Sequence, residues 1–433
     1  MPLSEHQFKS MLNIISEKLQ LFNQQHGEQP LSNLIIPLTP INLLSLLKGQ
    51  SAEEQAIFPA IYWQDKEQLQ TIACFGAIEI CDSIPQPKGE ECYFGGLAFQ
   101  QHGRQWPDFP AKQFIRPALE FKLVEQSLSV TCHFNGENSV QSTLALVQRL
   151  QAPQPLVTVN CDILSRSDSP NQQEWAELVE LAIEYKALIP KVVLSRETEL
   201  DCEQTINQWD LINQWQHAVP NSFHFVFQFS KNSAYVGCSP ERLFSRKKNQ
   251  LQTEALAGTV NRGRDQREDQ ILVNSLLNDK KIDRENYLVQ EFIISNLKGL
   301  KAQVTCKEPH VMQLKNVQHL CVPINATLET QTTDASLLYK LHPTPAVGGS
   351  PKRPALQFIE DNEPHLRGWY AGTVGYLRAE KSDFSVAIRT ALLTDKSIKL
   401  FAGAGIVTGS VAEQEWQELN YKISTILNIL SPS

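Results

Sequence analysis

The chain has 433 residues and a formal net charge of -8 at pH 7. No long run of lysines and arginines stands out, which argues against nucleic acid or an anionic membrane as the main partner. The length exceeds one ordinary domain but still allows a single large core. The nine cysteines are scattered, odd in number and without a C-x-x-C pair. They predict reduced thiols in a cytoplasmic protein, not a disulfide framework or a zinc site.

The first 150 residues predict a helix followed by strands. FKSMLNIISEKLQLF has apolar residues at helical spacing, typical of an amphipathic surface helix and not of a signal peptide. LIIPLTPINLLSLLKG is the most apolar run, but two prolines interrupt it and it is too short to span a bilayer. The segments that read as strands are AIFPAIYW, TIACFGAIEI, CYFGGLAF and ALEFKLVEQSLSVTCHF. Gly95 and Gly96 in the third of these indicate a bulge or a close backbone approach.

A polar, proline-containing stretch from about residue 151 to 173 predicts an internal seam. Beyond it, EWAELVELAIEYKALI has helical periodicity, and KVVLSR, FHFVFQF and AYVGCSPERLFSR predict strands, the last with a turn at Ser239 and Pro240. Strands interleaved with a few long helices indicate a domain that contains a largely antiparallel sheet.

The KVVLSR strand begins with Lys191, which shares one face with Val193 and Ser195 in an extended chain. A lysine removed from water has a lowered pKa and can act as a general base. The alternative is an ordinary solvated lysine at the mouth of a strand.

Two carboxylates are candidates for chemistry. Glu241 follows the Pro240 break among apolar neighbours, where a carboxyl pKa rises and suits a general acid; the alternative is a surface glutamate paired with Arg242. Glu285 lies on the apolar stripe of the KIDRENYLVQEFIISNL helix, together with Val289. A carboxylate there needs a metal or a cation, unless the first turn of the helix frays into solvent.

The last helix, EQEWQELNYKISTILNIL, carries Glu415, Glu418 and Lys422 one position behind its core stripe, along one face. They form either one side of a site or a solvated, self-paired row. Upstream, FAGAGIVTGS predicts a glycine loop that could approach an anion through Gly403 and Gly405.

VAIRTALL places Arg389 on an apolar strand, where its guanidinium favours bidentate capture of a carboxylate. His319 and the segment from His342 to Gly349 add a histidine at a strand end and a wall shaped by proline and glycine. A lysine, several carboxylates and an arginine together suit a small dianionic substrate bridged by a hard divalent cation.

At this point the sequence resembles the chorismate-binding enzymes, the family of anthranilate, aminodeoxychorismate, salicylate and isochorismate synthases. The resemblance covers roughly residues 175–430. It rests on KVVLSR, SPERLF, TEALAGT, DRENYLV, QLKNVQHL, LHPTPAVGG, RGWYAGTVGY, VAIRTA, FAGAGIV and EWQELNYK, which occur in the family's order. YFGGLAF followed by WPDFP is similar to isochorismate synthases in particular.

Three positions separate the members of this family. Ammonia-using enzymes carry glutamine where this chain has Lys191, and the aminodeoxychorismate type carries a nucleophilic lysine where it has Ala257. Salicylate synthases share the lysine but tend to have threonine at Ala346. The resemblance therefore implies a menaquinone-type isochorismate synthase that uses water and needs no glutaminase subunit. Asn286 departs from the histidine that is common there.

The resemblance also implies roles for the residues. Lys191 would deprotonate water and Glu241 would protonate the leaving hydroxyl of chorismate. Magnesium would be held by Glu285 and Glu418, with Glu415 behind them. The residues implied to contact substrate are Gly258, Thr259, His319, Ala346, Tyr370, Arg389, Gly403, Gly405 and Lys422.

The family fold is α+β, with two large, mainly antiparallel sheets packed face to face and helices outside. It implies one intertwined domain over residues 1–433, with a divergent subdomain at 1–150 and a catalytic region at 174–433. We expect a monomer or homodimer. Salicylate synthase, which would also eliminate pyruvate, an ammonia-dependent synthase and a non-catalytic binding protein on this fold are the alternatives.

Overall fold

The computed structural model describes residues 5–26, 33–51, 56–135, 140–313 and 317–431; side chains 26, 257, 259–261, 280–283, 317 and 319 are outside the description. The helices of this part are α1 Glu5–His26, α2 Leu43–Gly49, α3 Val140–Arg149, α4 Gln172–Glu184, α5 Gln208–Ala218, α6 Gln266–Asn278, α7 Lys280–Gly299, α8 Asp334–Leu341, α9 Lys352–Asn362 and α10 Ala412–Leu430.

The strands of the described part are β1 Asn33–Leu38, β2 Ala60–Gln64, β3 Gln70–Cys81, β4 Cys92–Leu97, β5 Lys112–Val124, β6 Ser127–His133, β7 Ile163–Ser169, β8 Lys191–Cys202, β9 Phe223–Gln228, β10 Ser233–Ser239, β11 Arg242–Lys247, β12 Gln250–Asn261, β13 Gln303–Cys306, β14 His310–Gln313, β15 Val317–Thr327, β16 Gly349–Ser350, β17 Thr373–Arg378, β18 Lys381–Val386, β19 Thr390–Thr394 and β20 Ser397–Val407.

Strand β5 joins two antiparallel arms of sheet. The first arm runs from β5 through β3, β2, β9, β10, β19 and β20 to β8, which also pairs with β7 and β16. The second arm runs from β5 through β4, β17, β18, β11 and β12 to β15, which also pairs with β13 and β14. The predicted α+β class with mainly antiparallel sheets is confirmed, and the hydrogen-bonded ladder is continuous through β5.

The two arms face each other across an aromatic core. Tyr376 of β17 meets Trp63 of β2 edge to face, with ring centroids 6.2 Å apart. The Gln70 amide nitrogen of β3 donates to the Tyr376 hydroxyl at 3.0 Å. Aromatic edge-to-face pairs add stability beyond the area that they bury. These contacts fix the arms relative to each other.

Strand β4 needs glycine where it lies between β5 and β17. A Cβ on Gly95 would lie 1.9 Å from the Gln113 carbonyl oxygen, and one on Gly96 would lie 2.3 Å from that of Thr373. Contacts this short are impossible for real side chains, so the predicted close backbone approach is confirmed.

The structure corrects three expectations. The seam at 151–173 contains a strand, because β7 pairs with β8 from Ile163 to Ser169. FAGAGIV is not a loop: Gly403 and Gly405 lie within β20, paired with β8. Arg389 is not on a strand but in the bend between β18 and β19, with φ of 54°. Helices α2, α3, α5, α6, α8 and α9 are additional to those that the sequence predicts.

The described cysteines are all free thiols, as predicted. No helix in the described part of the chain is both long and apolar enough to cross a membrane.

Candidate active site

A polar cavity of about 370 Å³ opens beside the start of β8, and nearly all the predicted site residues line it. Those residues are Lys191, Glu241, Gly258, Glu285, Ala346, Tyr370, Arg389, Gly403, Gly405, Glu415, Glu418 and Lys422. The backbones of Thr259 and His319 pair with each other across β12 and β15, but their side chains lie outside the described part.

Lys191 is 3% exposed at the first position of β8, so the alternative of a solvated lysine is wrong. Burial lowers its pKa, while the Glu285 and Glu241 carboxylates act in the opposite direction. A Cβ on Gly405, in the neighbouring strand β20, would lie 3.2 Å from Lys191 Cε. This glycine therefore gives the lysine side chain room to reach the cavity.

Glu241 is 4% exposed, in the break between β10 and β11. Burial, followed by the nearby Glu254 carboxylate, raises its pKa to about 8. Arg242 turns away from it and forms ion pairs with Glu67 and Asp383. The predicted direction of the pKa shift is confirmed and the pairing of Glu241 with Arg242 is wrong. The sequence did not identify the contribution of Glu254.

Two helices bring further carboxylates to the same cavity. Glu285 reaches it from α7, and Glu415 and Glu418 reach it from α10. Glu418 forms an ion pair with Lys422 one turn away, and Lys422 Nζ also donates to the Gly403 carbonyl oxygen at 2.9 Å. The row on α10 is thus partly self-paired, but it lines the cavity and is not fully solvated.

The described side chains contain no group of three or more His, Cys, Asp or Glu arranged to hold a metal ion. A closed cage made only of protein ligands is therefore not present among them. Magnesium does not require one, because it usually binds through one or two carboxylates and completes its shell with water and substrate oxygens. Glu285 and Glu418, on separate helices around one cavity, fit that pattern.

Arg389 and Tyr370 also line the cavity. Arg389 donates from Nη1 to the Lys422 carbonyl oxygen at 3.0 Å. Burial lowers the Arg389 pKa, and the Glu418 carboxylate opposes this shift. The Tyr370 ring stacks on Phe401 with centroids 5.2 Å apart. A Cβ on Gly403 would lie 2.8 Å from the Tyr370 hydroxyl, so this glycine leaves space for the tyrosine.

A buried network behind the cavity was not predicted from the sequence. The Ser195 backbone N–H donates to Glu363 at 2.7 Å, and Arg367 forms an ion pair with the same carboxylate. Arg367 also donates to the carbonyl oxygens of Val347 at 2.9 Å and Val193 at 2.6 Å. Val193 and Val347 both line the cavity. The one signal in the sequence was the RGWYAGTVGY motif, which begins with Arg367, but the motif alone does not indicate a partner for this arginine.

The cavity combines a buried lysine whose pKa is lowered with a buried carboxyl whose pKa is raised. Such a pair can remove a proton at one point of a bound molecule and supply one at another. Arg389 and Lys422 add positive charge for an anionic group, and the acidic residues of α7 and α10 suit a hard cation.

Comparison with known proteins gives consistent matches over most of the chain. A family model described as chorismate binding enzyme matches residues 80–431. The isochorismate synthase MenF of Haemophilus influenzae is 32% identical over 415 residues, which cover 94% of this chain and 93% of its own. MenF of Escherichia coli is 33% identical over 391 residues, with 87% and 89% covered.

A solved structure of the menaquinone-specific isochorismate synthase MenF from Escherichia coli superposes with a TM-score of 0.86 at 30% identity. The superposition covers 96% of this chain and 100% of the other. Anthranilate synthase component I from Streptococcus pneumoniae has a TM-score of 0.69 at 21% identity, and so shares the fold.

Proposed function

Because this chain belongs to the chorismate-binding enzyme family, we propose that its polar cavity is the active site of an isochorismate synthase. The observation that carries the proposal is the buried pair Lys191 and Glu241 on one cavity, with pKa values shifted in opposite directions. The MenF proteins of Haemophilus influenzae and Escherichia coli, which match most of this chain, are both named isochorismate synthase.

In the proposed reaction, Lys191 removes a proton from water. The water oxygen forms a bond to the ring carbon of chorismate next to the one that bears the carboxylate. The double bond shifts, and the hydroxyl at the other end of the allylic system leaves with a proton from Glu241. One water enters and one leaves, so the reaction is an isomerisation and needs no redox cofactor.

The remaining residues of the cavity bind and orient the substrate. We assign Arg389 and Tyr370 to the enolpyruvyl carboxylate, since a buried guanidinium pairs strongly with a carboxylate. Gly258 and Ala346 line the cavity, and we assign Gly258 to the departing hydroxyl. Gly403 and Gly405 provide space in β20, instead of the anion-binding loop expected from the sequence. The substrate contacts of Thr259 and His319 stay predictions, because their side chains lie outside the described residues.

Glu285, Glu415 and Glu418 would hold magnesium. When bound, the ion would neutralise the ring carboxylate of the substrate. Because Glu418 is paired with Lys422 here, ion binding requires that carboxylate to shift or to share its charge with the ammonium.

The test is incubation with chorismate, with and without magnesium, followed by chromatography of the products. We expect isochorismate only when magnesium is present. Release of pyruvate with salicylate would identify a salicylate synthase. An amino-substituted product that forms only with added ammonium would contradict the assignment of Lys191 as the base for water.

We further propose that the enzyme acts in menaquinone biosynthesis in the cytoplasm, because the MenF relatives match this chain over nearly its full length. Loss of menaquinone after deletion of the gene, with recovery on supplying a known isochorismate synthase, tests this role. No glutaminase subunit is required for water as nucleophile.

A further inference from the structure

A second cavity of about 310 Å³ lies between the end of β4, α8 and the start of α9. It shares no lining residue with the polar cavity. Leu97, Phe99, Leu338 and Leu356 make much of its wall apolar. Its size and largely apolar lining are those of a site for a single small molecule, in which a few polar groups fix the orientation of the ligand.

His342 places a neutral imidazole in this second cavity. Its side chain is 6% exposed and interacts with the Ala98 backbone, but neither ring nitrogen makes a hydrogen bond of good geometry within the described chain. Burial and the Lys352 ammonium lower its pKa to about 3, although the Ala98 backbone acts in the opposite direction. The ring therefore offers one donor and one acceptor at neutral pH. A buried polar group normally has a partner, because leaving it unpaired is costly.

Gln101 adds a second unpaired polar atom. Its amide nitrogen donates to the Ala98 carbonyl oxygen at 2.6 Å, while its buried Oε1 has no hydrogen-bond partner in the described part of the chain. The second cavity thus has an unused donor and unused acceptors beside its apolar wall.

Lys352 supplies a cation that has no carboxylate partner. Its Nζ donates to the His342 carbonyl oxygen at 2.6 Å and lies 5.7 Å from the centroid of the Phe292 ring, and it forms no ion pair with a carboxylate of the described residues. It occupies the first turn of α9, whose N-cap makes no side-chain hydrogen bond, and the helix dipole there favours an anion. Glu360, also on the cavity, is exposed and lies roughly 12 Å further along the helix axis.

We propose that this second cavity binds a small aromatic monocarboxylate, with the carboxylate on Lys352 and the ring against Phe99, Leu338 and Leu356. His342 and Gln101 select for a polar substituent on the ring. The assignment rests on this cavity alone and does not depend on the reaction proposed for the polar cavity.

Ligand-observed NMR titration of the full chain with benzoate, benzamide and benzylamine tests the charge preference. The three probes have the same ring and differ in charge. We expect benzoate to bind with a dissociation constant of about one millimolar or tighter, and at least about ten-fold more tightly than the other two. Equal binding of all three probes, or binding of none, would overturn the proposal, the latter because water alone would then satisfy His342.

Variants locate the bound benzoate. Lys352→Met should weaken it about ten-fold or more, whereas Lys340→Met, which removes an exposed ammonium nearby, should change it less than about two-fold. Arg389→Met, in the polar cavity, should leave benzoate binding unchanged. Loss of binding in Arg389→Met but not in Lys352→Met would place benzoate in the polar cavity and refute the second site.

Discussion

Lys191 is buried at a cost that the nearby Glu285 and Glu241 carboxylates only partly offset, and this is the property that a base for water requires. We expect Lys191→Gln to lower turnover by about 10²- to 10⁴-fold, because an amide cannot accept the proton. Steady-state rates with chorismate measure this, and Lys399→Gln, on the outer part of β20, is the matched control. A residual rate above about a tenth of the original would rule out Lys191 as the base.

Glu241 should set the alkaline limit of activity. It must hold a proton when the hydroxyl leaves, and its pKa is about 8, so kcat/KM should fall as the pH rises above about 8. Glu241→Gln should bind chorismate normally, turn over far more slowly and lose that alkaline limb. Weak binding with normal turnover would instead make Glu241 a substrate-positioning group.

The same carboxyl predicts a pH dependence of stability. The folded-state pKa of Glu241 is raised above its ordinary value of 4.5, so the folded protein holds this proton more tightly than the unfolded chain. Its contribution to the free energy of unfolding is therefore complete below about pH 4.5 and is lost as the pH rises to about 8. Relative to wild type, Glu241→Gln should gain in melting temperature across that window. A constant difference from pH 4 to 9 would contradict the shift.

At the scale of single residues, sequence reasoning worked where the chain itself creates the environment. Lys191 and Glu241 lie in or next to apolar strands, and burial follows from that pattern. Glu254 and Arg367 were missed because their effects depend on contacts between distant segments. Arg389 was misplaced because a left-handed φ at an arginine leaves no trace in an otherwise strand-like run.

Helices α7 and α10 should each supply a carboxylate to one magnesium ion. We expect magnesium to raise the melting temperature of the wild type, since a ligand that binds only the folded state stabilises it. Glu285→Ala should abolish both this shift and the magnesium dependence of activity. Glu291→Ala, at an exposed position on the same helix, is the control. An unchanged shift in Glu285→Ala would remove this residue from the metal site.

Arg367 connects β8 to the wall that precedes β16, so it should position the cavity without touching substrate. Arg367→Met leaves the Glu363 charge buried and should cost about 3–5 kcal/mol of unfolding free energy. Glu363→Gln in the same chain should recover part of this loss. We also expect KM to rise more than kcat falls in the double variant. Equal stability losses in the single and double variants, measured by urea unfolding, would argue against the pairing.

At the level of elements, periodicity located the amphipathic helices well, and α1, α4, α7 and α10 all fall where their apolar spacing predicts. The prediction of a loop at the glycines of β20 was wrong, because a pattern rich in glycine is typical of loops. In the folded sheet the neighbouring Lys191 and Tyr370 side chains fill the space that those glycines leave. That cause lies in another strand, so local sequence cannot reveal it.

For the whole molecule, the strand pairing predicts that neither half folds alone. Strand β2 pairs with β9 and β4 pairs with β17, so each arm draws on both halves of the chain. A chain cut in the coil between residues 149 and 163 should give two fragments that unfold without cooperativity singly and regain a cooperative thermal transition when coexpressed. A cooperative transition in residues 163–433 alone would show that the second half is an independent domain.

The α+β class could be predicted because strand and helix patterns are local, and the arrangement of the arms came from the family resemblance. The joining role of β5 could not be predicted from either. Strand β5 pairs with β3, β4 and β6 along different parts of its length. The composition of the strands does not reveal which part of β5 pairs with which of them.

The pairing of β4 with β17 also has a consequence during synthesis. Gly95 lies opposite Gly375, so 280 residues separate the two partners in the chain. At about 5–20 residues per second, β4 leaves the ribosome roughly 15–60 s before its partner. One edge of a strand with two central glycines is unpaired throughout that interval, and such edges favour aggregation. Slower elongation or chaperone depletion should therefore reduce the soluble yield of this protein more than that of a protein of equal length built from local pairings.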